Sequence, residues 1–175
     1  MDAAIDELLA SLTESRRVHS LAVGRRLESV AHMLPEHLRQ DAITAAYLHD
    51  VGYGYPVTGF HPIDGANFLE SLGYSPVVCH AVAFHSASVV EADVRGLDLA
   101  AFDRFKATNV DALDTVDAFV WWADMTTGPN GELLTVDERL DEILSRYEPG
   151  STVHTAISRA EPLIRTMVQR ASGSM

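Results

Sequence analysis

Little in the chain could cross-link it. Its 175 residues hold one cysteine, Cys79, so no intramolecular disulfide can form, and a reducing cytosolic location is expected. Lysine is equally scarce: Lys106 stands alone beside twelve arginines, and the formal net charge is −12. Such a surface repels nucleic-acid backbones and anionic membranes, which argues against duplexes and membranes as partners. A small anionic substrate remains compatible with it, provided positive charge is concentrated locally, as a bound metal would do. Aromatic residues make up 7% of the chain against 47% hydrophobic residues overall, which suits a helical protein cored by Ala, Leu and Val. No apolar run is expected to reach the ~18 residues of a membrane span. The acidic N-terminus, Met1-Asp2-Ala3-Ala4-Ile5-Asp6-Glu7, lacks the basic region of a signal peptide. No stretch alternates long enough to make a strand, so the fold reads as all-α.

The length suits one domain over 1–175, with a motif-bearing core at about 15–127 and C-terminal helices at about 135–170. Residues 3–12 pattern as a short amphipathic helix through Ile5, Leu8, Leu9 and Leu12. Thr13 or Ser15 can cap a longer helix ending before Pro35. On it His19, Val23, Leu27, Val30 and Leu34 form one stripe, which puts His19 on the buried face. His32 and His37 fall near helix ends and read as solvated. A third helix, about 36–51, carries Ala42, Ala45, Ala46 and His49 on one small-residue face, so another helix can approach closely and His49 points inward. Gly52, Gly54 and Pro56 keep it from running far past Val51.

The loop 52–60, with Tyr53 and Tyr55, is expected to line a site. Pro62 pre-sets the start of a fourth helix with His61 at its cap. Pro76 opens a fifth, with Val78, Val82 and His85 on one face and His80 pointing elsewhere in a structural role. Residues 86–108 are the least patterned, with one short helix expected around 97–105. From Asp111 a helix runs through Leu113, Val116 and Val120 to Asp124, again placing a carboxylate on the buried face. Trp121 and Trp122 read as core. Two amphipathic helices, about 135–147 and 152–170, close the chain; their arginines and His154 read as solvated surface.

Six polar residues thus face inward: His19, His49, Asp50, His61, His85 and Asp124. Burying them separately would cost several kcal/mol each unless every one found a partner. Gathering them around one or two divalent cations satisfies them together. Imidazole and carboxylate donors without thiolates suit Mn, Fe, Co, Ni or Zn and argue against a structural zinc site.

This order of residues resembles the HD superfamily of metal-dependent phosphohydrolases, from His19 through the His49-Asp50 doublet and two further histidines to Asp124. The segment Ala123-Asp124-Met125-Thr126-Thr127-Gly128-Pro129, with Arg139 and Arg146-Tyr147, is similar to a widespread bacterial branch of it. The resemblance implies an HD-domain-like helical bundle. It implies that His19, His49, Asp50 and Asp124 hold a first metal, and that His61 and His85 hold a second with Asp50 bridging. The activity implied is hydrolysis of a small phosphorylated substrate, such as a nucleotide, through a metal-activated hydroxide that the catalytic Asp50 orients. Many members follow the doublet with a phosphate-binding lysine, whereas this chain has Val51-Gly52-Tyr53. Arg16 or Arg17, one helical turn before His19, are the candidate phosphate clamp in its place. Two other readings use the same ligands: a mixed-valent di-iron oxygenase, with Tyr53 and Tyr55 at its pocket, and a non-catalytic metal-binding sensor. No attached output domain is visible, which weighs against a sensor. Substrate, metal identity and oligomeric state do not follow from spacing.

Overall fold

Helix boundaries fall where capping chemistry puts them. In a computed structural model, which describes residues 3–106 and 110–174 apart from the side chains of 110–113, nine α-helices are defined. They are α1 (Ala3–Leu9), α2 (Glu14–Val30), α3 (Glu36–Leu48), α4 (His61–Ser71), α5 (Pro76–Phe84), α6 (Ser88–Val94), α7 (Val110–Asp124), α8 (Val136–Ser145) and α9 (Thr152–Gly173). Thr13 caps α2 by accepting from the Arg16 amide, and Ser75 caps α5 by accepting from Val78. Thr135 and Glu138 close a reciprocal capping box on α8. Among the described residues the only β pairing is a single bridge between Thr127 and Leu133, so the fold is all-α as expected.

The small-residue face of α3 does what its composition allows. Ala42, Ala45 and Ala46 are fully buried, and α3 packs against α2, α5 and α7 at once. Opposite it on α2, Gly24 leaves room for the Tyr47 ring; a Cβ there would lie 2.1 Å from a ring carbon. The helix α9 lies along α7 and α6, and α8 packs on α9. Trp121 and Trp122 are buried on α7. Leu113, also expected on that buried stripe, lies outside the described side chains.

Two local expectations change. His61 is the first residue of α4 and not its cap: Phe60 takes the cap position in extended backbone and offers no side-chain bond. The loop before α4 is pinned instead by Asp64, whose carboxylate accepts from the amides of Val57, Thr58 and Gly59 at 2.9–3.1 Å. The segment 86–106 holds more structure than its pattern suggests, with α6 preceding a 3-10 stretch at Leu99–Phe105. Separating α5 from α6 are Ser86 (φ 46°) and Ala87 (φ 62°), both left-handed without being glycine.

That break also bears on membrane insertion. Pro76–Val94 spans 19 residues at a mean hydropathy of 1.3, an apolar stretch longer than the sequence reading allows for. The left-handed pair divides it into helices of about 14 and 11 Å at ~1.5 Å per residue, each far short of the ~30 Å hydrocarbon core.

Candidate metal centre

The six inward polar groups arrive from five helices, and most arrive at a helix end. His19 projects from the buried stripe of α2. His49 continues the helical turn of α3, after which Asp50 (φ −97°, ψ 4°) swings the chain into a 3-10 turn over Val51–Tyr53. His61 starts α4, His85 ends α5 and Asp124 ends α7. All but His61 are buried, and His61 is half-buried.

They form two adjoining groups, His19 with His49 and Asp124, and Asp50 with His61 and His85, each with its donor atoms within 4.8 Å of one another. Asp50 faces both. Its Oδ2 lies 3.5 Å from His49 Nε2, while its Oδ1 lies 3.4 Å from His61 Nε2 and 3.9 Å from His85 Nε2. Asp124 Oδ1 lies 3.0 Å from His19 Nε2 and 3.8 Å from His49 Nε2.

The tautomers follow from the backbone. His19 Nδ1 donates to the Gly128 carbonyl at 3.0 Å, His49 Nδ1 to Ala46 at 2.9 Å and His85 Nδ1 to Val82 at 2.7 Å. A carbonyl can only accept, so each neutral ring carries its proton on Nδ1 and leaves a lone pair on Nε2. Those of His19 and His49 aim inward at carboxylate oxygens, and that of His85 at His61 Nε2, 3.2 Å away, which can donate to it as the Nε2–H tautomer. Lone pair against lone pair is repulsive unless a proton or a cation sits between them. His19 can take the proton. Burial opposes its charge, but the hydrogen bond and charge of Asp124 outweigh burial and raise its pKa. His49 has no such remedy: burial pushes its pKa down, and its Nε2 is buried with no hydrogen-bond partner. An orphaned imidazole nitrogen beside two carboxylates and two further imidazoles is a donor set that fits a divalent cation, with Nδ1 held by carbonyls in the manner of metal-binding histidines.

The carboxylates are prepared accordingly. Burial opposes ionising Asp50, yet His49, Arg16, His61 and His19 together hold its carboxyl below the usual carboxylate range. Asp124 is held low against burial mainly by His49 and His19. Burial pushes the His61 imidazole well below its ordinary value, keeping it neutral.

The HD domain family model matches residues 16–108, 93 of the 175 and more than half of the chain. The chain belongs to the HD domain family. The match takes in five of the six inward residues and stops before Asp124, which the fold returns to the same place. No curated protein and no solved structure matches the chain. HD domain proteins are for the most part metal-dependent hydrolases that bind divalent metals, and the buried His/Asp groups here could hold such an ion.

Around the centre of this HD domain the structure sorts the remaining candidates. Arg16 reaches the site, with Nη1 donating to Asp50 Oδ2 at 2.8 Å and the guanidinium 4.2 Å from the Tyr53 ring centre. Tyr53 in turn stacks on His61 at 3.9 Å. Arg17 turns away from it, with its guanidinium 3.3 Å from Asp6 on α1. Tyr55 stacks on Phe68 instead of lining the site. His80 is structural as expected, bonded to Asp117 at 3.0 Å and to the Phe105 carbonyl at 2.8 Å. His32 and His37 are exposed, whereas His154 is half-buried.

The sequence reading misses the outer wall. A cavity of about 180 Å³ opens over Asp50, His61, His85 and Asp124, bounded also by Ser86, Glu91, Arg95, Arg139, Arg146 and Tyr147. Arg139 is buried, which corrects the reading of its guanidinium as solvated surface, whereas Arg146 is exposed as expected and lines the cavity from its outer side. Ser86 donates a very short hydrogen bond to Asp124 Oδ2. The arginines of α8 carried a signal, a strongly amphipathic helix with Arg139 beside Leu140 on its apolar side, but which groups that side would meet was set by tertiary packing.

Proposed function

We propose that the chain is a metal-dependent phosphohydrolase acting on a small phosphorylated, anionic substrate. The observation that carries this is His49 Nε2, buried and unpartnered between Asp50 and Asp124. His19, His49 and Asp124 would hold one divalent cation and His61 and His85 a second, with Asp50 between them. Cations so placed supply Lewis acidity, lowering the pKa of a coordinated water toward ~7 and neutralising charge on transferring oxygens. Asp50, held ionised at neutral pH, orients the attacking water by accepting its hydrogen bond; so low a pKa makes it a poor store for a proton. Arg16 stands beside Asp50 with its fork half used, and its other guanidinium hydrogens can meet a phosphoryl oxygen. Tyr53, stacked between Arg16 and His61, fixes both planes and shields the site from one side.

Elemental analysis of untagged protein, followed by phosphate release from a panel of small phosphate esters with Mn or Co added, tests the reading. One to two equivalents of a transition metal and release above the metal-free control are expected. Bound iron with a mixed-valence EPR signal and no phosphate release would move the assignment to an oxygenase. Bound metal with turnover on neither panel would move it to a sensor.

A further inference from the structure

Outside the His/Asp cluster, two arginines at α8, Arg139 within it and Arg146 capping its end, depend on a single hydrogen-bonded carboxylate. Arg139 is 6% exposed, and its guanidinium Nη1 donates to Glu142 Oε2 at 2.5 Å. Its Nε is buried with no partner. Arg146, two turns further along, spends its own Nε on the same carboxylate, at 2.8 Å from Glu142 Oε1. Two guanidiniums thus share one hydrogen-bonded carboxylate, with Asp124 adding only a longer-range attraction to Arg139, and free N–H donors remain on one face of α8. That face borders two cavities. One is the cavity over Asp50 and Asp124; the other, about 60 Å³, is lined by Ser15, His19 and Pro129. Arg16, Arg139 and Arg146 line both.

A buried guanidinium that shares its paired carboxylate and has an unpartnered Nε gains by the arrival of a further anion. Two guanidinium forks converging on one space match the several oxygens of a phosphoryl group better than a single carboxylate, which Glu142 already supplies. We propose that Arg139 and Arg146 form a second anion subsite beside the metal centre, and that the substrate carries a second phosphoryl group distinct from the one hydrolysed. The reacting group lies over Asp50 and the distal group against α8, with Arg16 between them. This rests on the phosphohydrolase reading for the word substrate, but the subsite itself binds phosphate whether or not the protein turns anything over.

Titration of the metal-free protein with inorganic phosphate by calorimetry tests the subsite directly. Saturable binding is expected, weakened about tenfold or more in Arg146→Gln, the loss of charge-assisted hydrogen bonds, and partly restored in Arg146→Lys. Because Arg139 is buried, Arg139→Lys is the variant to pair with these, checked for an unchanged circular dichroism spectrum. Arg159→Gln, on an exposed pair with Asp93, is the control and leaves phosphate binding as it was. Absence of binding, or equal binding in Arg146→Gln, overturns the subsite. In the metal-loaded protein the preference for an ester with two separate phosphoryl groups over p-nitrophenyl phosphate, as a ratio of kcat/KM, is expected to fall about tenfold in Arg146→Gln. An unchanged ratio would place Arg146 at the reacting phosphate or in a purely structural role and overturn the proposal. If no ester is hydrolysed at all while phosphate still binds through Arg146, the catalytic reading falls and the anion site stands.

Discussion

At the residue scale the decisive feature is how each imidazole is turned. A carbonyl behind Nδ1 settles the tautomer of His19, His49 and His85, and so determines what Nε2 can do. Asp50→Ala removes the carboxylate that both groups share, and it is expected to strip metal and abolish phosphate release. His32→Ala, at an exposed position, is expected to change neither; equal metal content in the two variants would contradict the assignment. A second prediction concerns a histidine away from the centre. His80 is raised above its ordinary pKa because Asp117 bonds to it and attracts its charge, against the opposing effect of burial. Its protonated form therefore stabilises the fold fully below the unfolded value of ~6.5, and that stabilisation is lost as pH rises through the higher folded-state pKa. Urea denaturation of the wild type and Asp117→Asn across this range should show a stability gap that is widest at low pH and narrows as pH rises. A gap that is flat or widens toward alkaline pH would show that the pair does not titrate in this way.

At the scale of elements, ligand placement depends on how closely helix ends are allowed to approach. Gly52 follows the doublet, and a Cβ there would lie 2.0 Å from the His61 carbonyl oxygen and 2.5 Å from the Gly65 amide. Both are backbone atoms of α4, so no side chain can move aside. Gly52→Ala is expected to cost about 3 kcal/mol or more, the upper end of overpacking, and to push His61 away from Asp50. Denaturant unfolding reads the first effect and metal stoichiometry the second; a stability within ~0.5 kcal/mol of wild type would mean that α4 is not held this tightly. Most elements here were legible in advance, because Thr13, Pro62 and Pro76 mark their helix starts chemically. The helix α6 was not, since the left-handed backbone at Ser86 and Ala87 that frees it from α5 has no glycine to announce it. Nor was the role of α4's own Asp64, which replaces a cap by gathering loop amides from below.

For the whole molecule, the metal centre is a joint between helices far apart in the chain, so occupancy and folding are coupled. A cation that binds only the folded state stabilises it by about 2.7 kcal/mol at a free concentration a hundredfold above its Kd. Thermal unfolding should therefore shift upward on adding Mn or Co and return on chelation, whereas Asp50→Ala should be insensitive to both; an identical response in the variant would place the stabilising ion elsewhere. The reading from residues alone succeeded with the inward set because burial follows helical period, and a histidine or aspartate that falls on an apolar stripe declares its direction without any coordinates. His19, His49 and Asp124 were found that way, as was the all-α class. Periodicity says nothing of what lies across a cavity. That Arg17 turns to Asp6 while Arg16 reaches Asp50, and that Arg139 and Arg146 stand beside the centre, was decided by how separate helices pack. Direction is a local property of a helix; convergence belongs to the packed fold, and a charged site needs both.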